Sequence, residues 1–127
     1  MNLANNLITS VQNLNGLVAL TELNLRRNLI DQVNGLQSCQ RLQRVFLSNN
    51  RIEKLENVAS IKDCSQLAEL ALDGNPIYGK KGYLEYCLNN CPNLKQLDMR
   101  KVTIEMRNDP NSVVFDEKSD FMHRNDG

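Results

Sequence analysis

Residues 20–30 of this chain read Leu-Thr-Glu-Leu-Asn-Leu-Arg-Arg-Asn-Leu-Ile, a stretch in which leucines and one asparagine stand at fixed spacing. The pattern L-x-x-L-x-L-x-x-N-x-I returns at residues 42–52 and 67–77, and a shortened copy opens the chain. The repeated asparagines lie 22, 22 and 25 residues apart; they are Asn6, Asn28, Asn50 and Asn75. Self-similarity at such a period indicates a repeat protein in which each unit forms one coil.

Each unit combines a strand with a turn. Because side chains alternate along a strand, Leu23 and Leu25 face one side and their neighbours face the other. One coil cannot bury its leucines alone, but stacked coils bury them against each other. An asparagine amide carries two donors and one acceptor. We therefore predict that the repeated asparagines form a ladder, with each amide bonding turn backbone of its own coil and of the next.

The return limb of each coil has an apolar residue at every third position, as in Ile30, Val33 and Leu36. This step is typical of 3₁₀ turns, in which side chains at i and i+3 eclipse. Residues 80–90 have helical spacing instead, and Pro92 ends that helix. A last strand is predicted at Leu94, Leu97 and Met99. We predict a solenoid over residues 1–107 with its C-terminal cap at about 76–107, followed by a polar, flexible tail at 108–127.

Composition excludes several classes of protein. The net charge is zero and 41% of residues are hydrophobic, so the total charge disfavours nucleic acid and anionic membranes as partners. No apolar run reaches the length of a membrane-spanning helix, and the N-terminus lacks the basic region of a signal peptide. The cysteines do not have zinc-site spacing, and three of them occupy the same apolar position of successive coils. We expect all four to stay reduced: Cys39, Cys64, Cys87 and Cys91.

No catalytic, cofactor or metal site is predicted. His123 is the only histidine and lies in the tail, without a recognisable nucleophile partner. The Gly79–Gly82 loop lacks the spacing and the Ser/Thr of a phosphate-binding loop. Asp73 and Asp98 should lie on an open sheet, where no pocket shifts the pKa of a carboxyl group. We therefore predict a protein that is not an enzyme.

The outward strand positions form the predicted partner-binding face. Phe46 lies between inward Val45 and Leu47, so it is expected to face solvent among arginines, a composition typical of interface hot spots. Two alternatives are that Phe46 covers neighbouring strand surface or that Arg26 stacks on it. The predicted partner-binding residues are Glu22, Asn24, Arg26, Arg27, Arg44, Phe46, Ser48, Glu69 and Asp73.

The first coil has no predicted cap. A terminal coil needs a polar outer face or a covering element. The strand around Leu3 would otherwise present an open edge beside an apolar flank, which favours association. We expect that the chain is part of a longer solenoid or that something covers this edge.

The 22-residue coils resemble the leucine-rich repeats of the phosphatase-1 regulatory subunit and axonemal dynein light chain 1 subfamily, and residues 74–103 resemble its C-terminal cap. More narrowly, residues 20–26, 45–48 and 97–99 resemble the leucine-rich subunits of tubulin polyglutamylase complexes. The resemblance implies a right-handed α/β solenoid. It would have a short parallel sheet of about five strands on the concave face, 3₁₀ or irregular turns on the convex face and a helical cap.

The function implied by the resemblance is that of a non-catalytic, protein-binding scaffold or targeting subunit. Its expected place is the cytoplasm, in a microtubule or ciliary complex. A protein subunit of a nuclear ribonucleoprotein and a phosphatase regulatory subunit are the alternatives. Fold resemblance does not decide among them.

Overall fold

The structure is a computed structural model that describes residues 1–12, 14 and 16–112. The helical turns of 3₁₀ type are Leu36–Ser38, Leu55–Asp63 and Pro110–Ser112. The strands and α-helices in chain order are β1 (Ser10–Val11), β2 (Glu22–Asn24), β3 (Gln32–Val33), β4 (Arg44–Phe46), β5 (Glu69–Ala71), α1 (Tyr83–Asn90), β6 (Gln96–Leu97), β7 (Arg100–Lys101) and α2 (Ile104–Asn108).

The strands assemble into one main sheet in the order β2-β4-β5-β6-β7. The first four run parallel, and β7 pairs antiparallel with β6. A single parallel bridge from Asn2 to Asn24 extends the sheet to the start of the chain. The register places Glu22, Arg44, Glu69 and Gln96 side by side, one from each coil. We name the units coil one (residues 1–21), coil two (22–43), coil three (44–68) and coil four (69–95).

The core lies inside the coils. The inward strand leucines of coils two to four are buried, as are the four cysteines, which are free thiols. The 3₁₀ stretch Leu55–Asp63 contains a non-helical break at Val58, and both Val58 and Ile61 point into the core. The three extra residues of coil three therefore add a turn on the convex side and keep the phase of the repeat. The predicted leucine-rich solenoid is confirmed.

The convex side differs from the prediction in coils one and two. There the return limbs begin with β1 and β3, which pair parallel as a second, two-stranded sheet, and not with 3₁₀ turns. The return limbs of coils one and two have equal length, so their backbones lie in register and pair as strands. Coil three has the insertion at this point, and its limb becomes 3₁₀.

The C-terminal cap is held together by Arg107. Its guanidinium donates hydrogen bonds to the carbonyl oxygens of Leu88 (3.0 Å), Cys91 (3.2 Å) and Leu94 (2.9 Å), which lie at and just beyond the end of α1. Thr103 caps α2 by accepting a bond from the Met106 N–H at 3.1 Å. A cation at a helix C-terminus satisfies orphan carbonyls and opposes the helix dipole. Arg107 thereby ties α2 to α1.

The last strand is not continuous as predicted. Asp98 and Met99 have φ of 52° and 67°, and they form the two-residue turn that reverses the chain from β6 into β7. Positive φ at both central residues is typical of the type I′ hairpin turn. Met99 is consequently 69% exposed at the tip of the hairpin and does not enter the core. The inward position predicted for Met99 is wrong because a hairpin breaks the alternation.

The described chain continues past the boundary predicted at residue 107. The helix α2 ends at Asn108, and the 3₁₀ turn Pro110–Ser112 packs against α1 and α2. Residues 113–127 lie outside the described part, so the flexible tail stays a prediction. Neither α1, α2 nor any other helix in the described residues has the length and apolar character that a membrane span requires.

Candidate functional site

The concave face begins with a row of charges at the start of the strands. The Arg44 guanidinium lies 3.3 Å from the Glu22 carboxylate on one side and 3.8 Å from the Glu69 carboxylate on the other. The three residues come together because β4 lies between β2 and β5. Exposed pairs of this kind contribute little to stability, ~0–1 kcal/mol. Their effect is that the Arg44 guanidinium is paired with a carboxylate on each neighbouring strand.

Phe46 lies in the next row, between Asn24 and Ala71. The prediction that Phe46 faces solvent is wrong, because its exposed fraction is only 7%. The Arg26 guanidinium carbon lies 4.1 Å from the centroid of the Phe46 ring and covers it. Sheet curvature brings a side chain from the neighbouring coil over the ring, a contact that strand alternation within one coil does not reveal. The structure therefore agrees with the alternative prediction, in which Arg26 stacks on Phe46.

Two further rows complete the face. Ser48 is buried and donates a hydrogen bond from Oγ to the Asp73 Oδ1 at 2.6 Å. Asn24 accepts a bond from the Arg26 N–H through Oδ1 at 3.2 Å, which anchors the backbone below the stacked guanidinium. Arg27 is exposed in the turn, with φ of 58°. The residue at this position has a positive φ in all four coils; the set is Asn5, Arg27, Asn49 and Gly74.

The turns beside this face are held by the asparagine ladder. The Asn50 amide donates to the carbonyls of Leu47 (2.9 Å) and of Leu25 in the preceding coil (3.0 Å), and its Oδ1 accepts the Ile30 N–H at 3.0 Å. Asn28 and Asn75 make the same set of bonds one coil earlier and later. Asn6 is exposed, and its amide donates to the Leu3 and Ala4 carbonyls of its own coil. The ladder sets the spacing of the strands that carry the concave residues.

Asp98 behaves differently from the sequence prediction. Its Oδ1 accepts the Leu72 N–H at 2.6 Å, and its Oδ2 accepts the hydroxyl of Tyr83, which is fully buried. Burial raises the pKa of Asp98 to about 6, although the Tyr83 and backbone donors act in the opposite direction. Burial also raises the pKa of Tyr83 well above its usual value, so the phenol remains a donor. The expectation of an unshifted carboxyl on an open sheet is therefore wrong.

The role of Asp98 is thus to connect the last strand, coil four and α1. Asp98 would face outward on the sheet, as Asn24 and Phe46 do in earlier coils, if the strand β6 continued through it. Turn chemistry ends the strand instead, since Asp is among the residues favoured at positive φ. Arg107 makes a second connection, because its guanidinium bonds the carbonyls at the end of α1.

The chemical character of the thiols and carboxyl groups follows from their surroundings. Among the residues that the structure describes, no cluster of His, Cys, Asp or Glu could hold a metal ion. The four thiols are buried, and burial raises the pKa of Cys64 to about 12 and that of Cys91 to about 11. Thiols in such surroundings are inert. The concave face presents polar side chains and the Arg26 guanidinium stacked on Phe46.

The comparisons with known proteins agree with this description. The family described as "Leucine-rich repeat" matches residues 1–125. The chain therefore belongs to the leucine-rich repeat family, whose fold is that of a protein-interaction module. Its narrower subfamily and the resemblance to polyglutamylase subunits are not established by these matches.

Two curated relatives are similar over part of the chain. Human leucine-rich repeat-containing protein 49 is 44% identical over 50 residues, which is 39% of this chain and 7% of that protein. The U2 small nuclear ribonucleoprotein A′ of Yarrowia lipolytica (strain CLIB 122 / E 150) is 33% identical over 57 residues, 45% of this chain and 25% of the relative. The matched part is thus a small fraction of either relative.

Solved structures match over more of the chain. A chain in the crystal structure of the Drosophila melanogaster SNF/U2A′ complex superposes with a TM-score of 0.80 at 25% identity, covering 97% of this chain and 72% of that one. The Mex67 leucine-rich repeat domain from Chaetomium thermophilum superposes with a TM-score of 0.59 at 26% identity, covering 70% and 62%. These likenesses confirm the fold.

Proposed function

We propose that this chain is a scaffold or targeting module that binds a partner protein on its concave face. The observation that carries the proposal is the Arg26 guanidinium stacked on Phe46 at 4.1 Å, where β2 and β4 lie side by side. Stacking orients the planar guanidinium before a partner arrives, so less side-chain entropy is lost on binding. Arginine on an aromatic platform is also the residue type enriched at interface hot spots.

The chemistry of the face favours an acidic partner surface. Arg44 already lies between two carboxylates, whereas the Arg26 guanidinium lies over the Phe46 ring and forms no ion pair with any of the described residues. Arg27 is exposed one residue further along. A guanidinium presents a fork of donors that matches a carboxylate in bidentate geometry. A partner aspartate or glutamate therefore fits this position.

The test compares capture of partner proteins by the purified chain and by Arg26→Ala. The variant should reduce capture of any concave-face partner about tenfold or more, since hot-spot truncation costs ~2 kcal/mol. Lys62→Ala, an exposed residue of the convex side, is the matched control. Phe46→Ala is a less suitable probe because Phe46 is buried and its loss would also destabilise the sheet. Equal capture by Arg26→Ala and wild type would contradict the proposal.

The first candidate setting is a cytoplasmic microtubule or ciliary complex. It is supported by the residue-level resemblance of residues 20–26, 45–48 and 97–99 to leucine-rich subunits of tubulin polyglutamylase complexes. In such a complex the module would bind a catalytic subunit and position it, and it would have no active site of its own.

The second candidate setting is a nuclear ribonucleoprotein. It is favoured by the superposition, over 97% of this chain, on a chain of the SNF/U2A′ complex. In that setting the partner would be a protein that itself binds RNA. Quantitative mass spectrometry of captured proteins separates the two settings. Tubulin and ciliary proteins lost with Arg26→Ala support the first, and ribonucleoprotein components lost with the same variant support the second.

A further inference from the structure

The residue directly before each ladder asparagine, which we call the pre-ladder position, has a positive φ in every coil. The angles are 61° at Asn5, 58° at Arg27, 62° at Asn49 and 76° at Gly74. Glycine adopts this left-handed region without steric strain, and asparagine tolerates it because its short amide bonds nearby backbone. Arginine has neither property, so Arg27 is the exception among the four residues.

The stacking of the coils, and not the residue type, sets this conformation. In three successive coils the backbone N–H of the pre-ladder position donates to a carbonyl of the next coil. The pairs are Asn5 with Arg26 at 2.9 Å, Arg27 with Ser48 at 3.0 Å and Asn49 with Asp73 at 2.9 Å. Any residue in this place is therefore held at positive φ, and an arginine there is strained.

The Arg27 side chain makes no contact in the fold that offsets this strain. It is exposed, and it forms no ion pair or side-chain hydrogen bond with any of the described residues. Gly74 differs, because a Cβ at that position would lie 2.3 Å from the Asn49 Oδ1, so packing requires the glycine. Strained backbone conformations cluster at ligand-binding sites, where function requires them. The conformation of Arg27 therefore indicates a role in binding.

Arg26 and Arg27 bring two positive charges to the end of β2, since consecutive Cα atoms are ~3.8 Å apart. Arg26 lies over the Phe46 ring at 4.1 Å, and neither guanidinium has a carboxylate partner among the described residues. Arg44, at the start of β4, is instead paired with a carboxylate on each side. A guanidinium binds a carboxylate or a phosphate through charge-assisted hydrogen bonds. A single carboxylate on a partner would leave one of the two arginines without an opposite charge.

We propose that Arg27 is a specificity-determining residue, which together with Arg26 selects partner proteins that present two adjacent negative charges. The inference rests on the proposed function, in which Arg26 binds an acidic group on the partner. The chemistry recognised is that of a dianion, and either a pair of neighbouring carboxylates or one phosphoryl group supplies it. Arg27 thus contributes to the choice of partner and lowers the stability of its own coil.

The first test measures thermal unfolding of the full 127-residue chain and of Arg27→Asn, which introduces the residue type of coils one and three. Relief of the strain should raise the unfolding midpoint by about 2–4 °C. Arg41→Asn is the matched control, because Arg41 is an exposed arginine of the same coil without a positive φ. The control should not raise the midpoint. An Arg27→Asn chain that is no more stable than wild type overturns the proposal.

The second test titrates the same three chains with small probes while NMR follows the backbone amide of Arg26. The probes are N-acetyl-aspartate amide, N-acetyl-aspartyl-aspartate amide and N-acetyl-phosphoserine amide, which present one carboxylate, two carboxylates and one phosphoryl group. Wild type should bind at least one of the two dianions about tenfold more tightly than the single carboxylate, because Arg27 adds a charge-assisted hydrogen bond. Arg27→Asn should lose this preference, and Arg41→Asn should keep it.

The outcomes separate this inference from the proposed function. Equal binding of the three probes by wild type, or a preference for dianions that survives Arg27→Asn, overturns the inference alone. Binding of the single carboxylate that is unchanged in Arg26→Ala contradicts the proposed function, and the inference falls with it. Tighter binding of the phosphoserine probe supports a phosphoryl group as the source of the charge, and tighter binding of the aspartate pair supports two carboxylates.

Discussion

At the scale of single residues, the asparagines do more than the leucines to define the geometry of a coil. Leucine burial is non-directional. Each ladder amide, in contrast, binds named backbone atoms in two coils, so it sets how one coil lies on the next. Asn50 does this with bonds of 2.9 to 3.0 Å to Leu47, Leu25 and Ile30. Asn6 has the same sequence context, but within the described residues its amide bonds only carbonyls of coil one.

Asn50→Ala should therefore cost ~2–4 kcal/mol of unfolding free energy, because a buried N–H loses its partner. The two carbonyls lose less, since Asn28 also donates to Leu25 and Asn75 also donates to Leu47. Asn6→Ala is the matched control and should change stability by well under ~1 kcal/mol. Urea denaturation measures both. Equal losses for the two variants would mean that the ladder has no energetic role.

At the scale of elements, the C-terminal hairpin and α1 act as one unit with coil four. The turn at Asp98 and Met99 ends the parallel sheet, and the Asp98 carboxylate connects this turn to Tyr83 of α1 and to the Leu72 N–H. Arg107 makes the second connection, from α2 to the end of α1. The ladder bonds of Asn75 connect coil four to coil three. Beyond coil four, where the repeat stops, Asp98 and Arg107 provide the connecting hydrogen bonds.

The Asp98 connection should make stability depend on pH. Burial raises the pKa of Asp98 to about 6 in the folded chain, above its ordinary value of 3.8. The folded state thus binds the extra proton between these values, and stability falls as pH rises through this window. The contribution of Asp98 is on the order of 2–3 kcal/mol, a difference that urea denaturation at about pH 4.5 and about pH 7.5 detects.

Asp98→Asn is the control, because it removes the titrating group and should remove this part of the pH dependence. Tyr83→Phe should destabilise more at about pH 7.5 than at about pH 4.5, since the lost hydroxyl bond favours the ionised carboxylate. An Asp98→Asn chain with the same pH profile as wild type would show that the carboxyl is not the source of the dependence.

At the scale of the whole molecule, the protein is a short stack in which each coil contacts only its neighbours. Stability in such a stack is a sum of coil and interface terms. In the structure coil two has a neighbour on both sides and its inward leucines are buried, whereas coil one has one neighbour and its inward leucines are partly covered. The cost of removing an equivalent leucine should therefore depend on its coil.

Leu25→Ala should cost ~2–5 kcal/mol, as expected for a buried leucine. Leu3→Ala removes the equivalent side chain from coil one and should cost less than half as much in the monomer. Chemical denaturation at a concentration that keeps the chain monomeric compares them. Equal costs in the monomer would contradict the nearest-neighbour description.

The sequence by itself determined the solenoid, its period, the inward leucines, the return-limb insertion and the asparagines at the turns. These features repeat within one coil, and local alternation and spacing specify them. Only the tertiary structure decided that Arg26 covers Phe46, that Asp98 and Met99 turn the chain back, and that Asp98 and Arg107 hold the cap. The physical reason is that each of these depends on a side chain or carbonyl from a different coil or helix, brought near by stacking and curvature, which the spacing within one repeat does not encode.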